Sequence, residues 1–147
     1  GYPSKEEEKQ IVRANISETG LHHAQKVLST DEIMKLRSLV RRVYVDEKIE
    51  QYIIDIIFAT RQVDSIGLNE LSGLITFGAS PRGSINLALA AKAYAFLQGR
   101  SFVVPDDVRA ISVDVLQHRI GISYEAEAIG MSPKNIIEKI VSFIEVP

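Results

Sequence analysis

The sequence predicts an all-α protein, a bundle of about five or six helices, and three observations support this prediction. Apolar residues recur at helical spacing over residues 33–43 and again, more strongly, over residues 49–57. The alanine-rich segment 81–98 is apolar over more than half of its helical surface, which is typical of a helix at the centre of a bundle. Residues that favour helix starts precede these segments.

The bulk composition fits one soluble globular domain. The chain has 147 residues, 46% of them hydrophobic and 24% charged, with a formal net charge of −2. This charge gives nucleic-acid binding no global electrostatic support, and the lack of cysteine excludes disulfides and thiolate metal sites. No apolar run approaches the ~18 residues that cross a membrane, and no signal-peptide pattern is present, so we expect a cytoplasmic location without membrane attachment.

The N-terminal part is predicted to be one charged helix followed by a connector. Ser4 and Glu7 fit a capping box, in which each side chain bonds to the backbone N–H of the other residue. The helix that they start should reach about Asn15. Residues 16–30 lack clean periodicity and are interpreted as a connector, with a candidate short turn at residues 25–28.

Two adjacent histidines, His22 and His23, lie in this connector and are candidate metal ligands. Neighbouring residues on a helix do not share a face, and no third ligand type clusters with the pair. We therefore expect both histidines to face solvent, and we predict no metal site.

Two amphipathic helices and a loop come next. Ser29 and Glu32 form a second capping box, and the helix after them should end near Val43. Asp46 should cap the following helix, which carries the strongest apolar face in the chain. Residues 62–77 have no clear period and are interpreted as an irregular loop, a kind of segment that is often functional.

The motif Gly78-Ala-Ser-Pro-Arg-Gly83 opens the alanine-rich helix. Ser80 suits the N-cap, because its hydroxyl can accept a bond from a free first-turn N–H, and Pro81 suits the first helical position. Arg82 is unusual, because a cation in the first turn meets the positive end of the helix dipole. Either a nearby anion offsets this cost or the side chain extends into water, and the spacing alone leaves both interpretations open.

The C-terminal part predicts further helices and a minimal ribbon. Segments 101–104 and 120–122 are β-prone and are candidates to pair as a very short two-stranded ribbon. Pro105 should open a helix whose first-turn acids, Asp106 and Asp107, favour the helix dipole, which explains them better than a metal site does. A last amphipathic helix is marked by Ser132, Pro133, Ile136, Ile137 and Ile140.

Catalytic machinery is not evident in this sequence. The two glycines of the Gly78–Gly83 motif imitate a P-loop, but Ser84 and Ile85 stand where its lysine and its Ser/Thr should follow. Neither a Walker A motif nor a Walker B segment occurs elsewhere, and three histidines without cysteine suggest no nucleophile–base pair. The chain alone should therefore not hydrolyse ATP, and it contains no predicted catalytic residue.

Several motifs in order give the chain a family resemblance. Gly78-Ala-Ser-Pro-Arg-Gly83, Gly99-Arg-Ser-Phe-Val-Val-Pro-Asp-Asp-Val108 and Asp114-Val-Leu-Gln-His-Arg-Ile120 resemble the C-terminal helical lid domain of MoxR-type AAA+ ATPases, as do Val43-Tyr-Val-Asp46 and Thr60-Arg61. The resemblance covers nearly the whole chain. At Val104 the chain departs from the small polar residue usual in the family, which leaves the cap of that helix open.

The resemblance implies a domain division and site residues. Residues 1–30 would be an N-terminal helix and connector from a missing ATPase core, and residues 31–147 the helical lid. Arg82 would be the sensor-two arginine that reaches the phosphates of ATP held by the core. The residues that would position it are Gly78, Ser80 and Pro81. Arg61 matches a family arginine, and we weigh a structural role and a subunit-interface role equally.

The resemblance also implies cofactors and partners. The full-length protein would bind ATP and Mg²⁺, whereas this fragment should hold neither. It would form a homo-oligomeric ring, with a hexamer expected, and would couple ATP hydrolysis to chaperone-like remodelling of partner proteins, von Willebrand A-domain proteins among them.

Two alternatives remain open at this point. The chain could be a free-standing helical protein-interaction module that uses the 62–77 loop or an exposed apolar face. Nucleic-acid binding through Arg37, Arg41 and Arg42 is a weaker alternative, because the acidic balance of the chain opposes it.

Overall fold

The computed structural model describes residues 2–16 and 25–147, which are mainly α-helical. Its helices are α1 (Lys5–Ile16), α2 (Thr30–Arg41), α3 (Glu47–Ala59), α4 (Pro81–Leu97), α5 (Pro105–Leu116), α6 (Tyr124–Ala128) and α7 (Pro133–Phe143). Two very short strands, β1 (Ile75–Phe77) and β2 (Gly121–Ile122), pair as a ribbon. The all-α prediction with a minimal ribbon is therefore confirmed. None of the described helices combines the length and apolarity needed to cross a membrane.

Residue contacts divide the chain into two units, residues 1–34 and residues 35–147. In the first unit the predicted capping box starts α1: the Ser4 N–H donates to the Glu7 carboxylate at 2.7 Å, and the Glu7 N–H donates to the Ser4 hydroxyl at 3.4 Å. The second predicted box, at Ser29 and Glu32, is also formed. The candidate turn at residues 25–28 is wrong, because these residues have no regular structure. His22 and His23 lie outside the described residues.

The core of the second unit is built by α3, α4, α5 and α7. Asp46 caps α3 as predicted, its carboxylate accepting from the Lys48 N–H at 3.0 Å. The buried side chains of α3 include Ile49, Tyr52, Ile53, Ile56 and Ile57, and those of α7 are Ile136, Ile137, Ile140 and Val141. Burial of these residues against α5 supplies the apolar driving force for this unit.

Helix α4 buries one narrow stripe rather than most of its surface. Its buried residues are Gly83, Leu87, Ala91 and Ala95, which recur every fourth position and face α3 and α5. Ile85 and Leu89 remain 59% and 50% exposed. The expectation of a helix surrounded on most sides is therefore wrong. The small residues of the stripe let neighbouring helices come close on one side of α4.

The ribbon uses a different strand from the one predicted. Antiparallel β1 and β2 bring Ile75 opposite Ile122, whereas segment 101–104 forms a bridge to Tyr44. In that bridge the Tyr44 N–H donates to the Ser101 carbonyl at 2.9 Å. Segment 120–122 pairs with β1 because the 62–77 loop folds through two 3₁₀ turns, Val63–Ile66 and Asn69–Leu71, and delivers β1 to it. The apolar residues that anchor this loop are Val63, Leu68, Leu71 and Leu74.

An ion pair fixes the first turn of α5. The buried carboxylate of Asp107 accepts from both terminal nitrogens of Arg100 and from the Val104 N–H at 2.9 Å. Asp107 thus closes the N-terminus of α5 even though the Val104 side chain cannot. Asp106 stays exposed. Dipole compensation therefore describes Asp106, while Asp107 has an ion-pairing role that the sequence interpretation missed.

Candidate functional site

The loop before α4 holds the residues that the sequence singles out. Pro81 is the first residue of α4, as predicted. Ser80 is the N-cap residue in extended conformation, with φ −77° and ψ 171°, but its hydroxyl accepts no capping bond. The predicted side-chain cap is therefore wrong. The first-turn N–H of Gly83 donates instead to the Ser80 carbonyl at 2.7 Å, so the backbone makes the bond expected of the hydroxyl.

Arg82 lies exposed in the first turn of α4. Its guanidinium has no hydrogen bond or ion pair with any residue that the structure describes, and the first turn of α4 contains no acidic side chain. Both the free N–H groups of the first turn and the helix dipole add positive potential at this place. Arg82 is therefore a cation whose surroundings favour an external anion.

The loop approaches α3 at Gly78 with no room for a side chain. A Cβ atom at Gly78 would collide with the Thr60 carbonyl oxygen and would lie 2.7 Å from Cγ of Arg61. Such distances are far below ordinary van der Waals contact. Glycine at this position therefore allows the backbone of the loop to lie directly on the C-terminal end of α3.

Two side chains from the end of α3 hold the backbone of Ala79. The Thr60 hydroxyl accepts from the Ala79 N–H at 2.9 Å and donates to the Ile57 carbonyl at 2.7 Å. The Arg61 Nε donates to the Ala79 carbonyl at 2.5 Å. Both polar backbone groups of Ala79 are thus bonded to adjacent residues of one helix end. We call this arrangement the Ala79 clamp.

Arg61 is held in a defined position by more than this bond. Its guanidinium carbon lies 5.2 Å from the centroid of the Phe58 ring, within the range of a cation–π contact. These contacts are of the kind that a structural role requires. Its interface role stays a prediction. The sequence named Thr60 and Arg61 as family matches but gave no sign that they bond to Ala79, which is distant along the chain.

The chemistry available at this site is anion binding. No group of three or more metal-ligating side chains occurs among residues 2–16 and 25–147, and the residues around Arg82 include no nucleophile with a neighbouring base. Arg82 offers a planar guanidinium suited to phosphate or carboxylate oxygens. Gly78, Ser80 and Pro81 belong to the loop and helix start that precede it.

Comparison with known protein families gives one match in the region that contains this site. Residues 71–140 match the AAA lid domain family, and this segment includes the loop before α4, Arg82, the ribbon and most of α7. This segment is therefore similar to AAA lid domains.

Two curated relatives align with the whole chain. Chaperone MoxR1 of Mycobacterium tuberculosis is 34% identical over 148 residues, and the uncharacterised protein YeaC of Bacillus subtilis is 34% identical over 147 residues. The alignments cover 38% and 43% of those proteins, so the chain spans less than half the length of the curated relatives it matches.

A solved structure has the same fold. A protein of Cytophaga hutchinsonii, crystallised as a candidate ATPase, superimposes on the whole chain with a TM-score of 0.91 and 37% sequence identity. The matched part is 44% of that protein. A score this high at this identity shows that the two proteins share this fold.

Proposed function

Since residues 71–140 of this chain belong to the AAA lid domain family, we propose that the chain is the lid of a MoxR-type AAA+ ATPase, which closes over ATP bound by an α/β core outside this segment. The likeness of the whole chain to a part of MoxR1 and to a part of the Cytophaga protein supports this proposal. The chain has no Walker A lysine of its own, so phosphate binding requires a core from elsewhere in the protein.

In this proposal Arg82 is the sensor-two residue, and one observation carries the assignment. Arg82 is an exposed cation without a partner among the described residues, at the positive end of a helix whose opposite face is buried. These surroundings fit an anionic phosphate better than any group that the chain itself offers. If Arg82 simply extended into water, the resemblance of the Gly78–Gly83 motif to the family would have no physical reason.

When bound, ATP would supply a γ-phosphoryl group that can be transferred and whose negative charge is spread over its oxygens. Arg82 would bind phosphate oxygens and stabilise that charge, and α4 would hold Arg82 in place. In this proposal Mg²⁺ would be held by the core and by the phosphates of ATP itself.

The wider activity belongs to the same proposal. A lid whose contacts differ between ATP and ADP states can turn hydrolysis into motion, and such motion would remodel partner proteins in the manner of a chaperone. The name of MoxR1 supports this activity. We further propose a homo-oligomeric ring of about six subunits in the cytoplasm, with von Willebrand A-domain proteins among its partners and Arg61 near a subunit interface.

The test is the substitution Arg82→Ala in the full-length protein. We expect the catalytic efficiency of ATP hydrolysis to fall at least about tenfold, because a charge-assisted hydrogen bond is worth roughly 1.5–3 kcal/mol. Arg109→Ala is the matched control, since Arg109 is also an exposed arginine near the start of a helix but lies on α5. Unchanged ATP affinity and turnover in Arg82→Ala would remove the sensor role.

A further inference from the structure

We propose that Thr60 and Arg61 are positioning residues that set the direction of Arg82 through the Ala79 clamp. This inference rests on the proposed function, because it presumes that Arg82 binds phosphate. It assigns to the C-terminal end of α3 a task in nucleotide sensing that neither a family match nor the sequence pattern provides.

The clamp restrains the peptide groups on both sides of the Ala79 Cα. The Ala79 N–H is held by the Thr60 hydroxyl at 2.9 Å, and the Ala79 carbonyl is held by Arg61 Nε at 2.5 Å. Ala79 is completely buried, so these groups have no water with which to exchange partners. Rotation of the loop before Ser80 would break at least one of these bonds.

Thr60 is restrained in turn. Thr60 is 1% exposed, and its hydroxyl donates to the Ile57 carbonyl at 2.7 Å, which leaves its lone pairs for the Ala79 N–H. One hydroxyl therefore connects the last turn of α3 to the loop. Because the backbone bonds of α3 hold Ile57, the position of the helix end fixes the position of the loop.

Arg61 acts from the exposed side of the same helix end. Its guanidinium lies over the Phe58 ring, and its Cγ lies where a side chain at Gly78 would have to be. The stem of Arg61 thus fills the space that glycine leaves open. The bond from Arg61 Nε to the Ala79 carbonyl uses one donor of Arg61. Arg82, which follows Ala79 closely in the chain, bonds to no described residue through its guanidinium.

A sensor arginine needs this kind of support. Catalytic groups must be held within roughly 0.5 Å of a productive position, and a misplacement of about 1 Å can reduce a rate on the order of 100-fold. Pro81 and α4 fix Arg82 relative to its own helix. The Ala79 clamp fixes the start of α4 relative to α3, one of the helices against which α4 packs.

The experiment is a double-mutant cycle in the full-length protein, with ATP hydrolysis as the readout and the melting temperature recorded beside it. Thr60→Val keeps the shape of the side chain and removes both hydrogen bonds. Thr60→Ser restores the hydroxyl and should recover most of the rate. Ser112→Ala is the matched control, because Ser112 also has a fully buried hydroxyl, bonded to the Val108 carbonyl at 2.6 Å, but lies on α5 away from the loop.

The inference predicts a roughly tenfold lower kcat for Thr60→Val alone and no further decrease when Thr60→Val is added to Arg82→Ala. Ser112→Ala should lose thermal stability and keep its kcat. Arg61→Met retains the stem of the side chain and removes Nε. Because Arg61 is exposed, this variant should fold even if Thr60→Val does not, and it should show the same decrease in kcat.

Two results would overturn the inference while the proposed function stands. One is a normal kcat in both Thr60→Val and Arg61→Met beside a reduced kcat in Arg82→Ala. The other is an additive loss in the double variant, which would mean that Thr60 supports the fold in general and not Arg82. If Arg82→Ala itself hydrolyses ATP normally, the proposed function fails first and the inference fails with it.

Discussion

Asp107 shows how a single buried charge organises the end of α4 and the start of α5. Asp107 is 1% exposed and accepts from Arg100 and from the Val104 N–H, so its carboxylate has three donors. Burial alone would raise the pKa of Asp107, but the hydrogen bonds from Arg100 and Val104 and the positive charge of Arg100 outweigh it and lower that pKa. The same pairing raises the pKa of Arg100.

We predict that Arg100→Met destabilises the protein and lowers its urea midpoint at neutral pH, because it leaves the buried Asp107 carboxylate without its cation. Methionine preserves the aliphatic stem, so the loss reports the charge and the hydrogen bonds. Urea unfolding of both proteins measures it. Lys134→Met is the control, since Lys134 and Glu138 form an exposed pair at 3.8 Å that should contribute less than about 0.5 kcal/mol.

This destabilisation should depend on pH in a defined direction. A carboxyl whose pKa is lowered by folding stabilises the protein above its unfolded pKa of about 3.9, and that stabilisation disappears as the pH falls through the folded value. The difference between the native protein and Arg100→Met should therefore be large at pH 7 and shrink under acid conditions. A difference that stays constant from pH 7 to pH 3 would contradict the role given to Asp107.

At the residue scale, sequence reasoning predicts a hydrogen bond only when its two partners lie close together along the chain. Pro81 and the capping boxes were correctly predicted, because a capping residue and its partner are separated by about one turn. The bonds from Thr60 and Arg61 to Ala79 were not predicted, because they join residues on either side of a folded loop. Only the tertiary structure brings those atoms together.

At the scale of elements, the packing of α4 on α5 depends on residue size. Gly83, Leu87, Ala91 and Ala95 form one stripe, and a Cβ at Gly83 would already lie 3.1 Å from Cδ1 of Ile57 and 3.6 Å from Cδ2 of Leu116. Such a tight interface has little space for added methylenes. The side of α4 that carries Ile85 and Leu89 is free of this restriction.

We predict that Ala91→Leu destabilises the protein by about 1–3 kcal/mol, because the larger side chain must separate α4 from its neighbours. Leu89→Ala is the control on the exposed face and should change the unfolding free energy by less than about 1 kcal/mol. Chemical denaturation of the three proteins makes the comparison. Equal effects of the two substitutions would mean that the stripe is not the packed face.

The elements that sequence reasoning missed are short ones. Six helices were recognisable because each carries a helix-start pattern, an amphipathic period or both, whereas α6 has five residues and gives no period to detect. The ribbon was predicted with the wrong partner for 120–122, because the strand β1 lies in a loop whose 3₁₀ turns carry scattered apolar residues. Pairing of such short strands is decided by where the loop is anchored and not by local propensity.

At the scale of the whole chain, the phosphate chemistry is incomplete. Arg82 is an exposed arginine at the start of α4, and the sequence contains no P-loop lysine or glycine-rich cradle. One charge-assisted hydrogen bond is worth roughly 1.5–3 kcal/mol, while a dissociation constant of 1 mM already requires about 4.1 kcal/mol. Under the proposed function, we therefore expect the lid to respond to a nucleotide that another domain holds without retaining one by itself.

We predict accordingly that the isolated 147-residue chain binds ATP with a dissociation constant above about 1 mM. Calorimetric titration of the chain with ATP measures the affinity, and circular dichroism of the same sample confirms that the helices are formed. Arg82→Ala should give the same very weak heat signal, because a free lid makes too few contacts for one arginine to matter. Micromolar binding by the isolated chain would contradict this account, since such affinity requires about 8 kcal/mol and hence a phosphate cradle within these residues.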